Sequence, residues 1–286
     1  MGARMTSVSA IRHETVPEVE ELELALLLEA LLQRYGFDFR GHERPTLKRK
    51  LRGVMQRRGL RTLSAVQDKV LHDPAAASAV LRALHVPPAT LFDDIDEAQH
   101  LRLLAGDCLR CSAAPKVWLA DCAGAEQAWT LAVLLAEDGL LARTEIHATV
   151  ASDELLADAI DASFPAERMA EYQANYVRSG GTGQLADYFQ PVGKRMVLLP
   201  QLRSRISWAQ YNLVTDASFN EFDLIVCRRA LPDFGPLLRQ RVLLLFHASL
   251  APCGVMGLDR QLDAGEALAA SYRPLWPMQP WYKRIA

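Results

Sequence analysis

The chain carries little of what would mark a special environment. Its 286 residues hold 32 Lys and Arg against 34 Asp and Glu, and a formal charge of −2 is too small an imbalance to imply a nucleic-acid partner. No run of about 18 apolar residues is free of charge, so no membrane insertion is expected. The 5 cysteines are an odd number and far below the density of a disulfide scaffold, which fits a reducing, cytoplasmic setting. Cys108 and Cys111 form a lone CxxC, and Cys122, Cys227 and Cys253 supply no second ligand pair. The histidines, including His147 in an alternating apolar stretch, show no ligand spacing, so no metal is expected. No nucleophile stands beside a matched base. The first 20 residues lack an apolar signal core and read as a short flexible lead.

What is present is core-forming material. With 50% hydrophobic residues the chain can bury one small and one medium domain. Residues 19–96 have helical periodicity. Leu22, Leu24, Leu26, Leu27, Leu28, Leu31 and Leu32 form a broad apolar face before Tyr35-Gly36, and further helices are predicted at 45–58, 63–70 and 74–84. Residues 97–286 change to alternating strands (117–120, 145–150, 222–226, 254–258) and helices (125–136, 153–160, 237–250). Short apolar strands of this kind suit a parallel sheet covered on both faces. The fold class is therefore α/β: a small N-terminal all-helical domain, then a doubly wound, Rossmann-like domain whose ligand crevice lies at the carboxyl ends of its strands. The stretch 172–208, with Gly180, Gly181 and Gly183, reads as a small inserted subdomain, with an antiparallel piece around 196–199 and 206–208. The Pro-rich tail 272–285 reads as an antiparallel edge.

The first strand leads into Asp121-Cys122-Ala123-Gly124-Ala125-Glu126-Gln127, and the second ends Ala148-Thr149-Val150. Further on stand Asn212-Leu213-Val214-Thr215-Asp216 and the long block Ser218-Phe219-Asn220-Glu221-Phe222-Asp223-Leu224-Ile225-Val226-Cys227-Arg228. With Gly36-Phe37-Asp38-Phe39-Arg40-Gly41 and Asn175-Tyr176, these blocks resemble the CheR-type chemotaxis receptor methyltransferases over nearly the whole chain. The resemblance implies a class I methyltransferase domain that transfers methyl groups from S-adenosylmethionine (SAM) to receptor glutamates. It implies that Glu126 holds the methionine part of SAM and that Asn212 lies by the adenine.

Several family positions are exchanged. The glycine that opens the cofactor loop is Asp121, and the acid that receives the ribose hydroxyls is Val150. The active-site arginine stands as Asp93, and the asparagine and tyrosine near the transferred methyl stand as Arg229 and Asp233. Unpaired ribose hydroxyls cost roughly 1 to 3 kcal/mol each, and a charged side chain replaces a close-approach glycine. These exchanges lead to the expectation that no cofactor is bound, SAM or S-adenosylhomocysteine (SAH) entering only where the site still functions. They also lead to the expectation of a non-catalytic or impaired protein in a bacterial chemosensory or two-component pathway. An active glutamate methyltransferase with displaced contacts, and a sensor of a different small molecule, remain as alternatives. Arg229 close to Asp93 or Asp233 would plug the transfer site with an ion pair. Basic residues at Arg44, Lys48, Arg49, Arg52 and Arg57 make a stripe suited to an acidic helical surface, such as a chemoreceptor signalling domain or a pathway regulator. The alternative is an ordinary solvated helix face.

Overall fold

The structure is a computed structural model that describes residues 18–263, 265, 266 and 268–285. Most of the expected N-terminal lead lies outside the described residues, while residues 19 and 20 already belong to the first helix.

Four helices form the N-terminal unit: α1 (Val19–Tyr35), α2 (Arg44–Arg58), α3 (Leu63–His72) and α4 (Pro74–Leu84). Their ends follow local chemistry. Gly36 (φ 78°) and Gly59 (φ 65°) close α1 and α2 in the left-handed region that glycine enters without strain. Thr62 caps α3 through the Ala65 N–H, and Asp73 caps α4 through the N–H groups of Ala75 and Ala76 with Pro74 at the first helical position. Only part of the leucine-rich face of α1 is inside: Leu24, Leu27, Leu28 and Leu31 are buried, whereas Leu22 and Leu26 lie at 49% exposure. A period of 3.6 residues places just one stripe against α3, and the leucines off that stripe stay wet.

The larger unit begins with α5 (Ile95–Asp107) and continues β1 (Lys116–Leu119), α6 (Ala125–Glu137), β2 (Glu145–Val150), α7 (Asp153–Ile160), β3 (Phe164–Pro165), α8 (Met169–Arg178), β4 (Phe189–Val192), β5 (Arg195–Leu198), α9 (Pro200–Arg203), β6 (Ile206–Gln210), β7 (Phe222–Cys227), α10 (Pro236–Ser249), β8 (Leu250–Leu258), β9 (Tyr272–Pro274) and β10 (Trp281–Arg284). Seven strands form one sheet in the order β6-β2-β1-β7-β8-β10-β9. The first five run parallel, and the tail folds back as an antiparallel pair with β9 at the edge. A separate three-stranded antiparallel sheet, β3-β5-β4, is the inserted piece. The expected partnership of 196–199 with 206–208 is corrected: β6 extends the main sheet, pairing Ile206 with Ile146 and Gln210 with Val150. Its alternate residues do not distinguish the two sheets, because an edge strand of a covered sheet and a strand of a small hairpin show the same short half-buried pattern.

Trp118 sits at the centre of the sheet with no exposed surface, and its indole N–H donates to Thr149 Oγ1 at 2.9 Å. The two units meet along a tight seam. Glu43 N–H donates to the Asp233 carbonyl (2.8 Å) and Gly235 N–H to the Gly41 carbonyl (2.9 Å). A Cβ at position 235 would stand 2.8 Å from the Gly41 oxygen, so the approach requires glycine there.

Candidate functional site

The loop after β1 carries the crevice. Asp121 has φ 50°, so the chain takes the left-handed turn there although the residue is not glycine. Aspartate is among the side chains that enter this region at least cost. Cys122 N–H then donates to the Thr149 carbonyl (2.7 Å), tying the loop to β2, and Ala123 N–H is received by Gln127 Oε1 (2.8 Å). Gly124 (φ 92°) stands at the N-cap of α6, and a Cβ built there would meet nothing within 4 Å. That open space belongs to a cavity of about 300 Å³ lined by Ala89, Asp121, Gly124, Glu126, Val150, Leu155, Asp158, Ala159 and Arg168, among others. Its position, beyond the carboxyl ends of β1 and β2 and before the N-terminus of a 13-residue helix, is the place where a doubly wound sheet takes its ligand.

Of the residues singled out in sequence, Asp121, Glu126 and Val150 line this cavity. Glu126 accepts from the Tyr172 hydroxyl at 3.2 and 3.3 Å, and burial raises its pKa. Val150 is 1% exposed and offers no side-chain acceptor, while its carbonyl is taken by Tyr211 N–H. Asn212 turns to its own loop, where Oδ1 receives Val214 N–H at 2.8 Å, and it lines a second, smaller chamber of about 50 Å³. Sequence reasoning missed Asp158, which lines the larger cavity one helix beyond Val150 and pairs with Arg82, itself bound to Glu154 at 2.6 Å. The available signal was the i, i+4 spacing of Glu154 and Asp158 on α7, which puts both acids on one helix face.

The charged exchanges separate in space. Arg229 binds Asp93 in a bidentate pair, Nη2 to Oδ1 at 2.6 Å and Nη1 to Oδ2 at 3.3 Å, on the wall of an open cleft of about 650 Å³. Arg228 lies beside it, 3.7 Å from Asp94 and 3.6 Å from Glu97. Asp233 does not join them. The short turn 231–233 aims it at the helical unit, where it binds Lys50 Nζ at 2.5 Å. The same ammonium also donates to the carbonyls of Leu84 (2.9 Å) and His85 (3.0 Å), so all three of its protons are used.

Asp121 shares the small chamber with Asp233, His42 and His85. Burial, and next the Asp233 carboxylate, push the Asp121 carboxyl up to about 7, while Lys50 works in the opposite direction. Burial likewise holds His42 and His85 down at about 4, so both imidazoles are neutral at pH 7. The sign of the Asp121 effect follows from linkage. Its carboxyl is protonated in the folded chain at pH values where the unfolded chain has already released the proton, so stability falls as pH rises from about 4 to about 7. Asp121→Asn should remove that slope, and the gain of the variant over the parent, roughly 1–3 kcal/mol, should be larger at pH 8 than at pH 5 in urea unfolding.

The basic stripe is less open than its sequence implies. Lys48 binds Glu20 (3.0 Å) and Glu21 (2.5 Å), and Arg52 binds Glu20 (3.0 Å), because α1 lays its acidic first turn along α2. Arg44, Arg49 and Arg57 are exposed.

The profile of the CheR methyltransferase SAM binding domain matches residues 97–261, and that of the CheR methyltransferase all-alpha domain matches residues 22–85. The chain is 33% identical over 266 residues to a putative methyltransferase, Cher3, of Pseudomonas putida, an alignment covering 92% of this chain and 97% of that protein. It is 27% identical to the chemotaxis protein methyltransferase Cher2 of the same organism, over 54% of each chain. It is also 27% identical to chemotaxis protein methyltransferase 1 of Pseudomonas aeruginosa, over 54% of this chain and 55% of that one. The expectation that no cofactor is bound is corrected by the match of 97–261 to a SAM binding domain. The residues present fit such a group: the turn at Asp121 is kept, Gly124 leaves the cradle open, and Asp158 and Glu126 bring carboxylates to its walls. The exchanges at Asp121 and Val150, taken position by position, hid these features. The chain belongs to the CheR methyltransferase family.

Proposed function

We propose that this protein binds SAM in the crevice beyond β1 and β2 and transfers its methyl group to a side-chain carboxylate of a protein. The observation that carries this reading is the open cradle at Gly124, set at the start of α6 and continuous with the 300 Å³ cavity. In that cavity the N-terminus of α6 faces the negative end of an amino-acid moiety, and Glu126 faces its positive end. The apolar wall of Leu155, Ala159 and Val150 covers a base, and Asp158 on the rim accepts from sugar hydroxyls in place of an acid at Val150.

When bound, SAM supplies a methyl carbon bonded to a positive sulfur. A carboxylate acceptor is already ionised at pH 7, so the chain needs no base: one C–O bond forms, the S–C bond breaks, and the electron pair stays on sulfur. The work left to the protein is positioning. Arg229 does this from the wall of the 650 Å³ cleft, exchanging Asp93 for the acceptor carboxylate. With the family's arginine replaced by Asp93 and its asparagine by Arg229, the cleft thus keeps a cation, now at position 229. The exposed Arg44, Arg49 and Arg57 of α2 meet an acidic helical surface of the acceptor, and their exposure supports a role for the protein as a cytoplasmic component of a chemosensory pathway.

Tritiated SAM incubated with the protein and a chemoreceptor cytoplasmic fragment should label the fragment in a base-labile form, since a carboxylate yields a methyl ester. Arg229→Ala should lower kcat/KM by about 100-fold with SAH affinity unchanged. A base-stable label would mark a nitrogen acceptor instead, and no label with SAH bound would rule out this acceptor.

A further inference from the structure

Asp121, Glu126 and Asp158 bring carboxylates to the wall of the cofactor cavity, and two of the groups are engaged: Glu126 accepts from the Tyr172 hydroxyl, and Asp158 pairs with Arg82. Asp121 differs. No hydrogen bond or ion pair to its carboxyl is found among the described residues, although it stands at the turn that leaves β1, just before the Gly124 cradle. Neither of its oxygens is closed off, and the residue lines both the cofactor cavity and the small chamber at the seam.

The group that this carboxyl can serve is constrained by its neighbours. With the amino group of SAM at Glu126 and the sugar hydroxyls at Asp158, the charge left over on the ligand is the sulfonium. That group carries no N–H or O–H and cannot be held by a hydrogen bond, whereas an ionised carboxylate in a poorly solvated wall attracts it through space. SAH has the same amino-acid and sugar groups but a neutral sulfur. A sugar hydroxyl as the partner of Asp121 would favour both ligands alike.

We infer that Asp121 is a specificity-determining residue of the cofactor crevice: its carboxylate attracts the sulfonium of SAM and has no such hold on SAH, so that loss of the sulfur charge on methyl transfer loosens the by-product. This rests on the reading of the crevice as a SAM site.

The discrimination follows pH. Burial and then Asp233 push the Asp121 carboxyl up to about 7 against the pull of Lys50, and SAM favours the ionised form, so the preference for SAM over SAH grows as pH rises through about 7. The other groups around Asp121 give no such signal. On the chamber side, His42 and His85, held at about 4, and Tyr211, pushed up to about 12, are neutral near pH 6 to 7, while Asp38, held down by Arg40, is ionised. Burial raises the thiols of Cys122 and Cys227, which stay protonated. On the cavity side Arg82 and Arg168 stay charged, and Glu126 and Asp158 face groups that SAM and SAH share, so their effects cancel in the ratio of affinities.

Calorimetric titration of the full chain with SAM and with SAH, at about pH 5.5 and about pH 7.5, measures that ratio. Kd for SAH divided by Kd for SAM should rise about 10-fold between the two pH values. Near pH 6, SAM should release about half a proton or more per site and SAH should not, read from the dependence of the heat on the ionisation enthalpy of the buffer. Asp121→Asn keeps the shape and enters the left-handed region as readily, and it should remove both effects. A ratio that stays constant with pH, one that changes equally in Asp121→Asn, or equal proton release with the two ligands would overturn the inference. Where Asp121→Asn does not fold, proton release on the parent chain decides. Absence of heat with either ligand would instead remove the reading of the crevice as a SAM site, and this inference with it.

Discussion

Lys50→Met should destabilise the protein by about 3 kcal/mol, among the largest effects available to a single polar substitution here. Lys50 is mostly buried, bound to Asp233 and to two main-chain carbonyls at the end of α4. Removing the ammonium leaves the Asp233 carboxylate and the carbonyls of Leu84 and His85 without this donor in a largely buried seam. It also removes a neighbouring cation that lowers the Asp121 pKa, so the loss should deepen as the pH rises. Urea unfolding at pH 5 and pH 8 measures both effects. Asp233→Asn in the Lys50→Met background should recover at least about half of the loss, because an amide is far cheaper to bury than an unpaired charge. Equal stability of parent and Lys50→Met would mean that the seam is wet.

Gly124→Val should abolish SAH binding, a loss of at least about 100-fold. The position combines φ 92° with empty space where the new side chain would go, so a valine would fill the cradle before α6. A β-branched residue at this φ is also strained, by about 1–3 kcal/mol, which should appear as a lower melting temperature. Gly124→Ala separates the two consequences: it takes comparable strain with far less volume, so its melting temperature should fall in the same way while part of its affinity for SAH survives.

Much of the architecture was legible because it depends on periodicity. The four strands read at 117, 145, 222 and 254 are the parallel centre of the sheet, and the helices of the N-terminal unit lie where leucine spacing, Pro45, Pro74, Gly36 and Gly59 place them. β6 was misplaced because strand partnership is a long-range property, and nothing within residues 206–210 states that Ile206 faces Ile146. The site was harder for the same reason. Asp233 could be seen as an exchange of tyrosine for acid, but its partner Lys50 lies 183 positions away on another unit. Val150 showed the loss of an acceptor. It could not show that Asp158, on the following helix, presents a carboxylate to the same cavity. Asp121 showed a charged side chain in place of a close-approach glycine, but not that the left-handed conformation is kept there. Losses are visible position by position, whereas compensations exist only in space, and for that reason the sequence led to the wrong expectation about the cofactor.

Calorimetric titration of the purified protein with SAH tests the central claim most directly. A crevice with the Gly124 cradle open and carboxylates on its rim should give a saturable one-to-one isotherm in the micromolar range, weakened by Asp158→Ala and lost in Gly124→Val. The absence of any heat from the parent chain at high micromolar SAH would contradict the account.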